Sequence, residues 1–150
     1  MKKFKFSLSS VLTYKGQVLE SLQGEYSALM AQVRRQEEVL ESVWSRYRSY
    51  NEEFKERQRE GLPITEARLY QSGLHALEKD IERETQRLES CRDQAEKKRD
   101  EVVEAKKETS SIEKLREKKL TQYRKAVQKS EEAFIDEFVS AARVSRPADQ

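Results

Sequence analysis

Gly61-Leu62-Pro63-Ile64-Thr65 interrupts a chain that otherwise repeats. Pro63 is the only proline before residue 147. It cannot continue a helix from the preceding residues. Gly61 suits the left-handed residue that follows a helix end. Thr65 reads as an N-cap, with Glu66 in the first turn of a second helix. Ile64 and Leu69 are spaced for a hydrophobic staple.

Outward from that turn, apolar residues recur at alternating steps of three and four. Upstream the series is Leu12, Lys15, Leu19, Leu22, Tyr26, Leu29, Val33, Gln36, Leu40, Val43, Tyr47, Tyr50 and Phe54. Only Lys15 and Gln36 break it. A 3.5-residue repeat held for about six heptads predicts a left-handed supercoil against a partner helix. Downstream the series is Ala67, Tyr70, Leu74, Leu77, Ile81, Glu84, Leu88, Cys91, Ala95, Lys98, Val102, Ala105, Thr109 and Ile112. Glu84 and Lys98 within it read as register-setting residues. Leu115, Leu120, Tyr123, Val127, Phe134 and Phe138 resume the apolar face after a slip near 116–119.

The expected fold is all-α: two long helices forming an antiparallel coiled-coil hairpin, the second helix longer and overhanging. The boundaries are helix one about 8–60, a turn at 61–65, helix two about 66–143 and a disordered tail 144–150, all within one domain spanning 1–150. A turn centred near residue 63 sets position i opposite about 126 − i, which puts Met1 near Lys125. At 1.5 Å per residue, helix one would span about 78 Å and helix two about 117 Å. The last 20 or so residues then have no internal partner.

Composition agrees. Charged residues are 39% of the chain, with four glycines and two prolines. About half the chain is Ala, Glu, Lys, Leu or Arg, the profile of a long helix or coiled coil. The net charge is only +2 because acids and bases interleave, unlike the excess of a nucleic-acid binder. Cys91 and His75 are each alone in their type, so an internal disulfide and a His/Cys metal cluster are excluded. The opening is basic but carries no sustained apolar run or cleavage site, and no stretch is long enough to span a membrane. The chain reads as soluble and intracellular. No nucleophile elbow, Gly-rich phosphate loop or converging carboxylate pair is present. A paired-helix coiled coil also offers no concave pocket for catalysis. The expectation is a non-enzymatic protein without a cofactor.

Three features read as binding surfaces. Trp44, Tyr47, Tyr50, Phe54 and Tyr70 gather near the turn, and Tyr and Trp are favoured at interfaces. Tyr47, Tyr50 and Phe54 also fit the stripe and read by default as core, while Trp44 stands one step off it and reads as exposed. Residues 97–129 carry twelve Lys or Arg against six acids, which would attract an acidic surface. Glu131, Glu132, Asp136 and Glu137 surround the apolar stripe of Phe134, Phe138 and Ala141 in a segment that reads as a docking helix.

The opening Lys3-Phe4-Lys5-Phe6-Ser7-Leu8-Ser9-Ser10-Val11-Leu12 resembles the start of the flagellar FliJ family. So does Ile112-Glu113-Lys114-Leu115-Arg116-Glu117-Lys118-Lys119, followed by Tyr123, Glu132 and Asp136-Glu137. The resemblance covers nearly the whole chain. It implies a component of the flagellar type III export apparatus, folded like the central stalk of a rotary ATPase. The implied partners are the hexameric export ATPase, the cytoplasmic region of the export-gate membrane protein, and substrate chaperones. The resemblance places ring contacts at Lys2, Lys3, Lys5, Lys114, Arg116, Lys118, Lys119, Tyr123, Phe134 and Phe138. It places gate contacts at Leu40, Val43, Trp44, Tyr47, Tyr50, Tyr70, Leu74, Leu77 and Ile81. No catalytic, cofactor or metal residue is implied. Location would be cytoplasmic, at the inner membrane face when assembled, with peripheral membrane association through partners only and no nucleic acid. The alternatives are the stalk of a related virulence-type secretion system, or a basic coiled-coil adaptor for RNA or anionic membrane.

Overall fold

A computed structural model describes residues 2–145. Among them stand two α-helices, α1 (Ser9–Glu60) and α2 (Ile64–Val144), of 52 and 81 residues. They pack against each other antiparallel, the all-α hairpin that the periodicity predicts. Every residue of the upstream series from Leu12 to Phe54 is buried or half-buried, as is every downstream residue from Ala67 to Ile112. Stepping by three and four therefore identifies the facing stripes of both helices.

The connection is shorter than expected. Only Gly61, Leu62 and Pro63 lie outside the helices. Gly61 has φ of 96°, a conformation that costs a side-chain-bearing residue about 1–2 kcal/mol. Its N–H donates to the Gln58 carbonyl at 3.3 Å, closing the end of α1. α2 begins before Thr65, because the Pro63 carbonyl already accepts from the Ala67 N–H at 3.0 Å. Thr65 thus sits inside the first turn and is not the cap. The staple does not form either: Ile64 and Leu69 are 73% and 69% exposed. At the far end Val144 is still helical and Ser145 is in a turn. The remainder of the expected tail, 146–150, and Met1 lie outside the described residues.

The chain divides into two compact units, Glu20–Glu104 and Met1–Leu19 with Ala105–Gln150. In the first, α1 and the start of α2 bury Val33, Leu88 and Ala95 together, with Tyr26, Leu29, Met30, Leu40 and Cys91 packed around them. Ala95 is only 3% exposed, so a small side chain here lets the helices close rather than weakening the stripe. No described side chain reaches complete burial, since two helices can cover one another only along a single line.

Polar interruptions of the stripes are paired. Gln36 Nε2 donates to Glu84 Oε2 at 2.5 Å and to the Glu84 carbonyl at 3.1 Å. Arg87 donates to Glu84 Oε1 at 2.8 Å. Glu84 is 6% exposed yet fully satisfied. Lys98 Nζ lies 2.8 Å from Glu101 and 2.9 Å from Glu25. Hydrogen bonds to those two carboxylates hold its pKa above the usual lysine value. The pairs Glu25–Lys98, Glu53–Tyr70 and Arg57–Glu66 set position i opposite 123 − i, three residues from the expected offset.

In the second unit, Lys15 donates to Glu108 at 2.7 Å with the same offset. The Glu108 hydrogen bond likewise raises the Lys15 pKa. Beyond Ile112 the covered positions of α2 are Arg116, Leu120, Tyr123 and Val127. The expected slip is real, but it puts Arg116 on the stripe and leaves Leu115 37% exposed. The spacing there runs four, four, three, an eleven-residue step that straightens a left-handed supercoil.

Candidate functional site

The amino-terminal segment is held against α2 by aromatic packing. The Phe4 ring lies 5.6 Å from the Tyr123 ring. The Tyr123 hydroxyl donates to the Lys2 carbonyl at 2.6 Å. The Arg116 guanidinium sits 6.0 Å from the Phe4 centroid, at the edge of cation–π range. Phe4, Phe6 and Leu8 are half-buried, while Lys2, Lys3 and Lys5 are exposed. On the neighbouring turns of α2, Lys114, Lys118 and Lys119 are exposed as well. This end of the unit carries a dense positive surface.

After Val127 every described residue of α2 is exposed. Phe134 and Phe138 are 69% and 68% exposed. Ile135 and Val139 join them on an apolar surface that the sequence reading drew through Phe134, Phe138 and Ala141. They were missed because they sit one position off the stripe. Five large apolar groups on one uncovered helical segment, counting Val144, mark a binding surface. Glu131, Glu132, Asp136 and Glu137 rim it.

The ten expected ring contacts therefore fall in one unit. Eight of them are exposed: three lysines of the amino-terminal segment, three of α2, Phe134 and Phe138. Arg116 and Tyr123 are half-buried because they hold the amino-terminal segment in place.

The nine expected gate contacts gather in the other unit, near the turn, but most face inward. Val43 is 4% exposed, and Leu40, Tyr47, Tyr50, Tyr70, Leu74, Leu77 and Ile81 are half-buried between the helices. Only Trp44 of the nine is exposed, at 39%. Its ring meets Tyr47 edge-on at 5.8 Å. Tyr70 joins the two helices through aromatic contacts, with Phe54 stacked and Tyr50 tilted at 5.1 Å each. Its hydroxyl donates to Glu53 at 3.0 Å. Burial, reinforced by that bond, raises the Tyr70 pKa. Gly73 makes room for this cluster: a Cβ there would come within 2.6 Å of the Tyr50 ring.

Among the described residues no group of His, Cys, Asp and Glu could hold a metal. No described helix is long and apolar enough to cross a membrane. Cys91 is a half-buried stripe residue, and His75 is an exposed flank residue 3.7 Å from Glu78.

A protein-family model described as "Flagellar FliJ protein" matches residues 4–147. No curated protein and no solved structure matches the chain.

Proposed function

The chain belongs to the flagellar FliJ family, and from that premise we propose that it is the stalk-like partner of the hexameric export ATPase. Membership makes it a protein of flagellar type III export. In our reading the uncovered end of α2, together with the lysine-rich amino-terminal segment, enters the ATPase ring. The protein performs no catalysis of its own and works in the cytoplasm, at the inner membrane face when assembled. The observation that carries the reading is the exposed apolar surface of Phe134, Ile135, Phe138 and Val139. Leaving it in water forgoes about 25 cal/mol for each Å² that a partner would cover.

The gate and substrate chaperones would then meet the unit that contains the turn. Trp44, braced by Tyr47, is the aromatic anchor there. The remaining expected gate residues support it from between the helices.

The test is capture of the purified hexameric export ATPase. Phe134→Ser with Phe138→Ser should weaken capture at least tenfold, which corresponds to about 1.4 kcal/mol. Lys118→Glu with Lys119→Glu should weaken it too, as should added salt. An ATPase that the unaltered protein fails to retain at low salt would sink the proposal.

A further inference from the structure

We propose that the back of α2 is a ridge that docks directly on an anionic lipid surface. Lys107, Lys114, Lys118, Lys125 and Lys129 follow one another at steps of seven, four, seven and four. Each stands two residues from a covered stripe position, which is about 200° around the helix. All five are exposed. They form one line about 33 Å long at 1.5 Å per residue.

No acid interrupts the line. Glu108, Glu113 and Glu117 lie on the flanks beside the stripe, and the nearest acids on the ridge itself are Glu104 before it and Glu132 after it. Among the described residues none of the five lysines forms an ion pair, whereas Arg57, Arg83, Arg87, Arg92 and Lys98 of the other unit all do. Other cations of that unit, such as Arg34, Arg35 and Arg68, are exposed and scattered, whereas the five ridge lysines stand in one line open to an external anion.

The chemistry favours a lipid surface. The ridge is straight and built wholly of lysine, whose ammonium is a point charge suited to a diffuse negative field. Single-stranded nucleic acid binding relies on aromatic side chains for stacking, and the ridge offers Ser111, Thr121 and Gln122 between its lysines. With no apolar side chain on that line the chain would adsorb without inserting. Such contact adds to whatever membrane association partners confer. It does not depend on the ATPase reading.

The experiment is co-sedimentation of the full chain with phosphatidylcholine vesicles, with and without about 30% phosphatidylglycerol, a source of negative surface potential. Binding should require the anionic lipid and vanish near 0.5 M salt, where screening acts within about 5 Å. Lys107→Gln, Lys125→Gln and Lys129→Gln together should lower partitioning roughly a hundredfold, at about fivefold per lysine. None of the three is an expected ring contact, so ATPase capture reads out separately. Lys55→Gln with Lys79→Gln, in the other unit, should change nothing. Circular dichroism confirms that each variant remains helical. The proposal is overturned if anionic vesicles are not bound at low salt. It is equally overturned if the triple variant binds like the parent, or if oligouridylate binds more tightly than the vesicles at the same salt.

Discussion

Gln36 and Glu84 show how single residues fix the pairing of two helices. An all-apolar stripe would tolerate sliding by a heptad, since each turn offers the next a similar surface. A half-buried amide facing a buried carboxylate does not, because a slide strands the carboxylate. Gln36→Leu removes the donor to Glu84 while Glu84 stays 6% exposed, leaving only Arg83 and Arg87 beside it. The expected cost is about 1–2 kcal/mol, typical of a buried acceptor losing a partner. Gln36→Leu with Glu84→Leu should recover that loss or exceed it, since a buried polar pair is seldom more stable than apolar replacements. Urea unfolding of the three variants, read as a double-mutant cycle, measures the coupling. Additive effects would show that the pair does not communicate.

At the scale of the helix, the stripes were legible because a covered face needs apolar groups at a fixed spacing, and that spacing survives in the sequence. The connection was less legible. Pro63 announced the break, but Thr65 and the Ile64–Leu69 pair fit cap and staple rules that the structure does not use. The Pro63 carbonyl starts α2 two residues earlier, and Ile64 and Leu69 then point to solvent. Arg116 was illegible for another reason. A long side chain can occupy a stripe through its aliphatic stem and keep its charge outside. It needs Phe4 beside it, and nothing in the helical repeat announces where that segment packs. The charges between helices also carry a pH dependence. Lys15, Lys98 and Tyr70 all have raised pKa values in the folded chain. Each folded group therefore holds its proton more tightly than the unfolded one. Their contribution is complete below the ordinary values of about 10.0 and 10.5 and is lost as pH climbs through the raised ones. Denaturant midpoints should stay level from pH 7 to about 9 on account of these groups and fall above about 10. Lys98→Met should flatten part of that fall, and an unchanged slope would exclude Lys98 as a contributor.

Across the whole molecule, burial is uneven. Six of the seven residues buried among those described, from Val33 to Ala95, belong to the unit formed by Glu20–Glu104. Among the described residues the other unit has Thr109 alone. The best-buried core and the surface proposed to meet the ATPase thus fall in different stretches of chain. The sequence disclosed the apolar phenylalanines and the lysines of the candidate site through their residue types alone. Near the turn the stripe spacing marked Tyr47, Tyr50 and Phe54 as core and Trp44 as exposed, and the structure has them so. The gate contacts implied by the family resemblance include residues that serve both interface and core chemistry, and only packing decides between them. The unevenness has a direct consequence. Residues of α2 past Val127 add helix but cover nothing, and an isolated helical stretch of this length is marginal in water. Ending the chain after Gln128 should therefore shift Tm by no more than about 2 °C, since few contacts that oppose unfolding are lost. Backbone amide exchange should rank the segments in the same order: slowest around Val33, Leu88 and Ala95, where opening exposes the core, and fastest after Gln128. A Tm loss of about 8 °C on truncation, or slow exchange at Phe134 to Val139 in the isolated chain, would mean that this segment is already covered, and the ATPase would have no vacant apolar surface to engage.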